Sequence, residues 1–460
     1  MAHTVTSPKP EMPSTQSKSR SAEQPETSRR PRVVIVGAGF GGLGCARRLN
    51  GTAVEVLLLD RDDYHLFTPL LYQVATALLN PSDIAYPLRK VFRWSRNVRV
   101  YQGTVNSVDC AAQSVHLRNG EVLRYDYLVL ATGSTDNFFG NAALSKSSIG
   151  LKTLEEAARL RNHVLACLEL ADADTDGDKR PALLTFVVGG GGPTGVEYSG
   201  ALAELIQLVA GRDYPALRRT DVRIILVEAA SRLLGAFSER ISRYAERVLK
   251  QKGIEVWTNT RVETADEYSV TLSGGAGSLI VPTRTIVWTG GVRATLPQVA
   301  PKLALTRGQR ARVDAYQRVS GFKNAYVIGD AAAGENGSEL PMLSAPAIQQ
   351  ARYVARSILA DIGGQQLSRP FRYVDKGTMA TIGRNAAVAH LRGGLELTGF
   401  LGWLAWIFVH IWYLIGFRNR VVALFSWAWN YLRFDRPIRI ILQATPDPLV
   451  SAAHSGPVEP

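Results

Sequence analysis

The sequence predicts an α/β fold of two Rossmann-like units, one inserted in the other, with amphipathic helices at the C-terminal end. Three observations carry that reading. The stretch VVIVGAGFGG (33–42) runs an apolar strand into Gly37, Gly39 and Gly42. LLTFVVGGGGPTG (183–195) repeats the pattern with Gly190, Gly192 and Gly195. After the second copy a further apolar strand, AYVIGDAAA (325–333), enters a Gly-Asp turn at Asp330 and belongs with the first unit.

Each fingerprint has the residue types that a bound pyrophosphate demands. The first glycine allows the strand-to-helix turn, the second lets the phosphate approach the backbone, and the third lets helix and strand pack closely. The helix N-terminus then offers unpaired N–H groups. An acid ending the next strand suits a ribose hydroxyl, and both copies have one: Asp60 after VEVLLL and Glu228 after VRIILV. Both also close on a small turn, Thr132-Gly133 and Thr289-Gly290, separated from the first glycine by 96 residues (37 to 133) and 100 (190 to 290). One GxGxxG match is a weak signal; two in strand–turn–helix context make an internal repeat. Two dinucleotide sites in one chain suggest a flavin reduced by a nicotinamide. The expected order is an FAD half (Gly37, Gly39, Gly42, Asp60, Thr132, Gly133, Asp330), an inserted NADH half (Gly190, Gly192, Gly195, Glu228, Gly290), and a return to FAD.

At 460 residues the chain exceeds one core, and its 46% hydrophobic content is that of a globular protein. Residues 1–31, polar and rich in Ser and Pro, read as a disordered arm without a secretory h-region. The expected organisation continues with FAD-binding residues 32–150, a connecting helix and linker at 151–180, and NADH-binding residues 181–300. A second FAD part follows at 301–390, which the family resemblance set out below also makes the quinone-site region, then a membrane-anchoring segment at 391–445 and a tail at 446–460. Cys45, Cys110 and Cys167 have no metal-ligand spacing, and residues 61–90 contain no cysteine, which excludes a redox-active disulfide beside a flavin. No metal cluster or Ser-His-Asp arrangement is expected. The net charge of +13 has no nucleic-acid recognition fold beside it, so an anionic membrane surface is the expected partner rather than nucleic acid.

LTGFLGWLAWIFVHIWYLIGF (397–417) has His410 as its one ionisable residue. Its length suits a membrane span. Its tryptophans, however, run throughout, and Arg418, Arg420, Arg433, Arg436 and Arg439 follow among further aromatics, which favours a helix lying in the interface. A core helix is the third reading. Glu197, two residues after Gly195, is expected in the first turn of the NADH-side helix, where the dipole accounts for an acid. Asp330 is placed to accept hydrogen bonds from a flavin ribityl chain, or to cap a following helix. His65 and His410 read as packing residues.

YHLFTPLLYQVAT (64–76), GGGPTGVE (190–197), VIGDAAA (327–333) and the Trp-rich segment with GFRNR (416–420) together resemble the type II NADH:quinone oxidoreductases, over residues 32–440. The resemblance implies single-subunit, non-proton-pumping NADH dehydrogenation in a respiratory chain. It implies FAD and NADH on the two fingerprints, the TPLL stretch beside the flavin ring, and C-terminal helices docked on the membrane. It further implies a quinone site in which Gln349 and Lys376 take part, with Glu197 matching the family's motif acid, implicated in nucleotide and quinone binding and in proton handling. In SAPAIQQ (344–350), Ala345 stands where the family's AQxAxQ has its first Gln. The expected location is the cytoplasmic face of a cell inner membrane, and a homodimer is left open. Two rivals share parts of the pattern. A sulfide:quinone oxidoreductase needs cysteines near the flavin, and residues 168–460 have none. An apoptosis-inducing-factor-like flavoprotein lacks a reason for the Trp-rich tail.

Overall fold

A computed structural model describes residues 29–433 apart from 176, 276 and 366, together with 436 and 438–441. Most of the predicted arm and all of the tail lie outside the described residues.

The first sheet is five-stranded and parallel, in the order Ala325–Val327, Tyr127–Leu130, Arg32–Val36, Glu55–Asp60, Val98–Gln102. Helices cover both faces of such a sheet, so its strands must be apolar on both sides. Val33, Val34 and Ile35 accordingly have no exposed surface. The second sheet repeats the plan in four parallel strands: Ile254–Trp257, Arg223–Val227, Thr185–Gly189, Thr285–Trp288. Its central Phe186, Val187 and Val188 are as deeply buried. The strand Ala325–Val327 joins the edge of the first sheet only after the second is complete. Nesting is therefore a property of the strand order. The chain passes between the halves through an antiparallel pair, Ser134–Asp136 against Val292–Ala294. The connecting helix, Leu154–Ala173, starts on a capping box between Thr153 and Glu156.

Strand registers correct one detail of the repeat. Val36 faces Leu130 and Gly189 faces Trp288, so Gly290 is the counterpart of Thr132 rather than of Gly133.

Residues 377–398 form an antiparallel sheet of their own, Gly377–Gly383, Ala386–Leu391 and Glu396–Thr398, rather than extending the first sheet. This sheet packs on the helix Pro193–Val209 that follows the second fingerprint, at a point where only glycine fits. A Cβ on Gly200 would lie 2.2 Å from the Ile382 carbonyl oxygen.

The apolar run 397–417 is not one helix. It forms Gly399–Tyr413, then breaks at Gly416, whose φ is +90°, and the chain continues as Phe417–Arg433. Gly416 sits against the Tyr86 ring, where a Cβ would approach to 2.4 Å. Fifteen helical residues reach only about 22 Å, short of the roughly 30 Å hydrocarbon core. Among the described residues no helix is long and apolar enough to cross a membrane. The first helix buries Gly402 and Trp406 and exposes Phe400, Leu401, Leu404, Phe408 and Trp412. The second exposes Phe417, Phe425, Trp429 and Leu432.

The arginine count expected to face anionic lipid is also corrected. Arg420 donates to the carbonyls of Trp412 and Leu414, capping the preceding helix. Arg439 pairs with Asp213 at 2.9 Å. Arg436 is buried. Backbone carbonyls engage the Arg420 guanidinium, although that side chain is exposed, and carboxylates engage Arg436 and Arg439; Arg418 and Arg433 are exposed as well.

Candidate active site

The two fingerprints are superposable in their hydrogen bonding, and each acid does the same work. Asp60 accepts the Ala38 N–H with one oxygen and the Asp62 N–H with the other. Glu228 accepts the Gly191 N–H at 2.6 Å and the Ala230 N–H at 2.7 Å. In both, the residue between the first two glycines is tied to the acid that ends the next strand. Burial pushes the Asp60 carboxyl up from its ordinary range, against the two backbone donors that favour its charge.

The glycines meet the requirements of a bound dinucleotide. Gly37 and Gly190 have φ of +97° and +111° and press against the opposing turn: a Cβ would lie 2.3 Å from the Ala131 oxygen and 2.6 Å from the Gly290 Cα. Gly42 and Gly195 pack onto the carbonyls of Gly37 and Gly190, leaving a Cβ 1.7 Å and 1.9 Å away. Gly39 and Gly192, in contrast, face open space, with nothing within 4 Å of a built Cβ. An open cradle at the second glycine, with crowding at the first and third, fits a pyrophosphate in each half.

Thr132 donates its hydroxyl to the Thr295 carbonyl, and Gly133 takes a φ of +70° beside it. Asp330 does not cap a helix; it lies in a single turn of 3-10 geometry, Gly329–Ala331, and accepts the Ser134 hydroxyl at 2.6 Å. That turn is held by Gln350, absent from the sequence-derived set. Its Oε1 accepts the Gly329 N–H at 2.7 Å while its Nε2 donates to Gln317. The adjacent Gln349 faces elsewhere, spending both ends of its amide on the backbone of Val374 at 2.9 and 3.0 Å. It thereby fixes the segment leading to Lys376, whose Nζ reaches the Tyr413 hydroxyl at 3.4 Å.

Glu197 is not in the first helical turn. The helix starts at Pro193, so Glu197 is its fifth residue and the dipole no longer explains it. Its carboxylate accepts the Thr381 N–H at 3.2 Å. Burial raises its pKa to about 8, opposed by that backbone donor and by the Trp406 indole. His65 and His410 are driven down to about 4 by burial and are neutral. His65 sits edge-on to Phe40 with Nδ1 on the Ala38 carbonyl, and His410 stacks on Trp406 at 4.0 Å. Both are packing residues.

Beyond Glu197 lies a cavity of about 60 Å³. Its walls are Tyr72, Leu78, Trp403, Trp406, Ile407 and Trp427, and its polar groups include Gln73, Glu204 and Arg436. Glu204 is seven residues after Glu197, two helical turns along the same face. That spacing was the available signal for it. The three cysteines are free and buried.

Nested dinucleotide folds with this geometry define a class of flavin- and nicotinamide-dependent oxidoreductases. Residues 31–351 match the pyridine nucleotide-disulphide oxidoreductase family, and residues 376–436 match the NDH2 C-terminal domain. The chain is 37% identical to the type II NADH:quinone oxidoreductase Ndh of Mycobacterium tuberculosis, over 89% of each chain. It is 36% identical to NdhA of the same organism, over 90% of this chain and 89% of that one. The solved NDH2 from Plasmodium falciparum in complex with NADH has the same fold, with a TM-score of 0.81 at 20% identity, covering 90% of this chain and all of that one. A sulfide:quinone oxidoreductase from Aquifex aeolicus shares the fold less closely, with a TM-score of 0.68. The chain belongs to the type II NADH:quinone oxidoreductases. FAD and NADH are its cofactors.

Proposed function

We propose that the chain oxidises NADH bound at the second fingerprint and passes two electrons, by way of FAD on the first, to a quinone drawn from a membrane, without pumping protons. The observation that carries this reading is the nesting of two like cradles in one chain, with an aromatic cavity beside them that adjoins helices exposing apolar faces.

FAD, when bound, supplies the hydride acceptor and two-electron donor. The protein's part is binding, orientation and protons. Glu228 selects an unphosphorylated ribose, and Asp60 does the same for the flavin nucleotide, with Asp330 near its ribityl chain. Thr132, Gly133 and Gly290 keep the two turns small. Glu197, with a pKa near 8, holds a proton at neutral pH and so can give one up beside the cavity. Lys376, steadied by Gln349 through Val374, is the cation offered to a reduced quinone oxygen.

Helices Gly399–Tyr413 and Phe417–Arg433 seat the enzyme on the cytoplasmic face of the inner membrane through their exposed aromatic and leucine side chains. The test is NADH oxidation by the FAD-loaded enzyme with and without a soluble quinone. Flavin that NADH reduces but no quinone reoxidises would overturn the proposal.

A further inference from the structure

The cavity has a polar floor supplied by the far end of the chain. Arg436 comes after both exposed helices, yet it is 1% exposed. Its guanidinium donates to the Thr76 carbonyl at 2.7 Å, the Ala201 carbonyl at 3.0 Å and the Glu204 carboxylate at 3.2 Å. Glu204, itself buried, also accepts Lys252 Nζ at 2.8 Å and the Arg384 N–H at 2.6 Å. Two of the three Arg436 acceptors lie on the helix Pro193–Val209; the third caps the short helix Leu71–Ala75 in the TPLLYQVAT stretch.

A second bond links the same partners. Trp427 donates its indole N–H to Gln73 Oε1 at 2.7 Å, and Gln73 Nε2 in turn donates to the Tyr72 hydroxyl at 2.9 Å. Residues 72–76 are thus gripped at two points by the segment that also presents the apolar surface. Tyr72, Gln73, Glu204, Trp427 and Arg436 all line the cavity.

Stability is a poor reason for such an arginine. A buried ion pair roughly breaks even against apolar residues of the same volume. A planar fork that fixes three acceptors in set directions does what neither an apolar residue nor lysine can.

We infer that Arg436 is a positioning residue for the quinone half-reaction: it seats the exposed-helix module against Tyr72–Thr76 and shapes the inner end of the aromatic cavity. This rests on the quinone reading above and adds to it a residue that touches neither dinucleotide fingerprint.

The test uses the full-length, FAD-loaded enzyme in detergent, with NADH and a short-tail quinone. Arg436→Met should raise the quinone KM about tenfold or more while stopped-flow reduction of the flavin by NADH stays at the wild-type rate. Arg436→Lys should recover part of the loss. In Arg436→Met the buried Glu204 keeps Lys252 as its cation but loses a charge-assisted donor on Oε2; the double variant Glu204→Gln with Arg436→Met removes that under-bonded carboxylate, so it should regain part of the thermal stability without regaining quinone KM. The inference is overturned if Arg436→Met keeps quinone kinetics within about twofold, if flavin reduction slows in parallel, or if the double variant recovers stability and quinone kinetics together. Wild-type enzyme whose flavin is reduced but never reoxidised by quinone would instead sink the quinone reading, and the inference with it.

Discussion

Replacing Glu197 with Gln should change stability little at pH 5 and raise it at pH 9. The Glu197 carboxyl is held at about 8 against an ordinary value of 4.5, a difference of 3.5 units. At about 1.4 kcal/mol per unit this is at most roughly 5 kcal/mol. The sign follows from proton linkage. Between the two values the folded protein keeps a proton that the unfolded chain has lost, so stability is full below pH 4.5 and declines as pH rises towards 8. Glutamine stays neutral throughout and escapes that decline, while it can still accept the Thr381 N–H. Thermal unfolding of FAD-loaded protein, followed by flavin fluorescence at pH 5, 7 and 9, should show the midpoints of variant and wild type close together at pH 5 and separating by several degrees at pH 9. A separation independent of pH would refute the reasoning, because the carboxyl would then be ionised across the range.

Glu228→Gln should weaken discrimination against NADPH, measured as the ratio of kcat/KM for NADH and NADPH, since the carboxylate that repels a 2′-phosphate is gone; wild-type enzyme already indifferent to the phosphate would refute that role. Asp60→Ala and Asp330→Ala should each lower flavin content, read from the visible absorbance of purified protein. Full flavin with a raised KM for NADH would place the residue on the other nucleotide. Replacing Phe400, Leu404 and Phe408 together by Ser should weaken sedimentation with anionic liposomes while NADH still reduces the flavin at its usual rate. Unaltered sedimentation would remove this face from the membrane contact.

Local chain chemistry made much of this enzyme legible. A strand feeding Gly37-x-Gly39 is a weak signal alone, but its repetition at Gly190-x-Gly192 leaves few alternatives to a cradle, and the returning strand at Ala325–Val327 could be paired with the first half from its Gly-Asp turn. What stayed hidden depends on contacts between distant segments. Nothing near Arg436 in sequence distinguishes it from Arg433, yet one is buried against Glu204 and the other exposed. Gln349 and Gln350 are neighbours, and helix geometry sends their amides to different elements, Val374 and Gly329. The break at Gly416 was masked by uninterrupted apolar residues; it is enforced by the Tyr86 ring, 330 positions earlier, and by Asn419 donating to the Asp83 carbonyl. Hydropathy registers neither.

The contact at Gly200 makes the helix Pro193–Val209 behave as a lever with its fulcrum clamped. The Ile382 backbone leaves no slack there for sliding or rolling, and Thr381 and Arg384 bond carboxylates on either side of it. The N-terminal end of that helix, which carries the second glycine fingerprint, lies about 10 Å from the fulcrum, at 1.5 Å per residue. A displacement of that end must therefore carry the strand Gly377–Gly383 with it. Lys376 stands at the strand's other end, so the second glycine fingerprint and the lysine proposed for the quinone belong to a single stiff body.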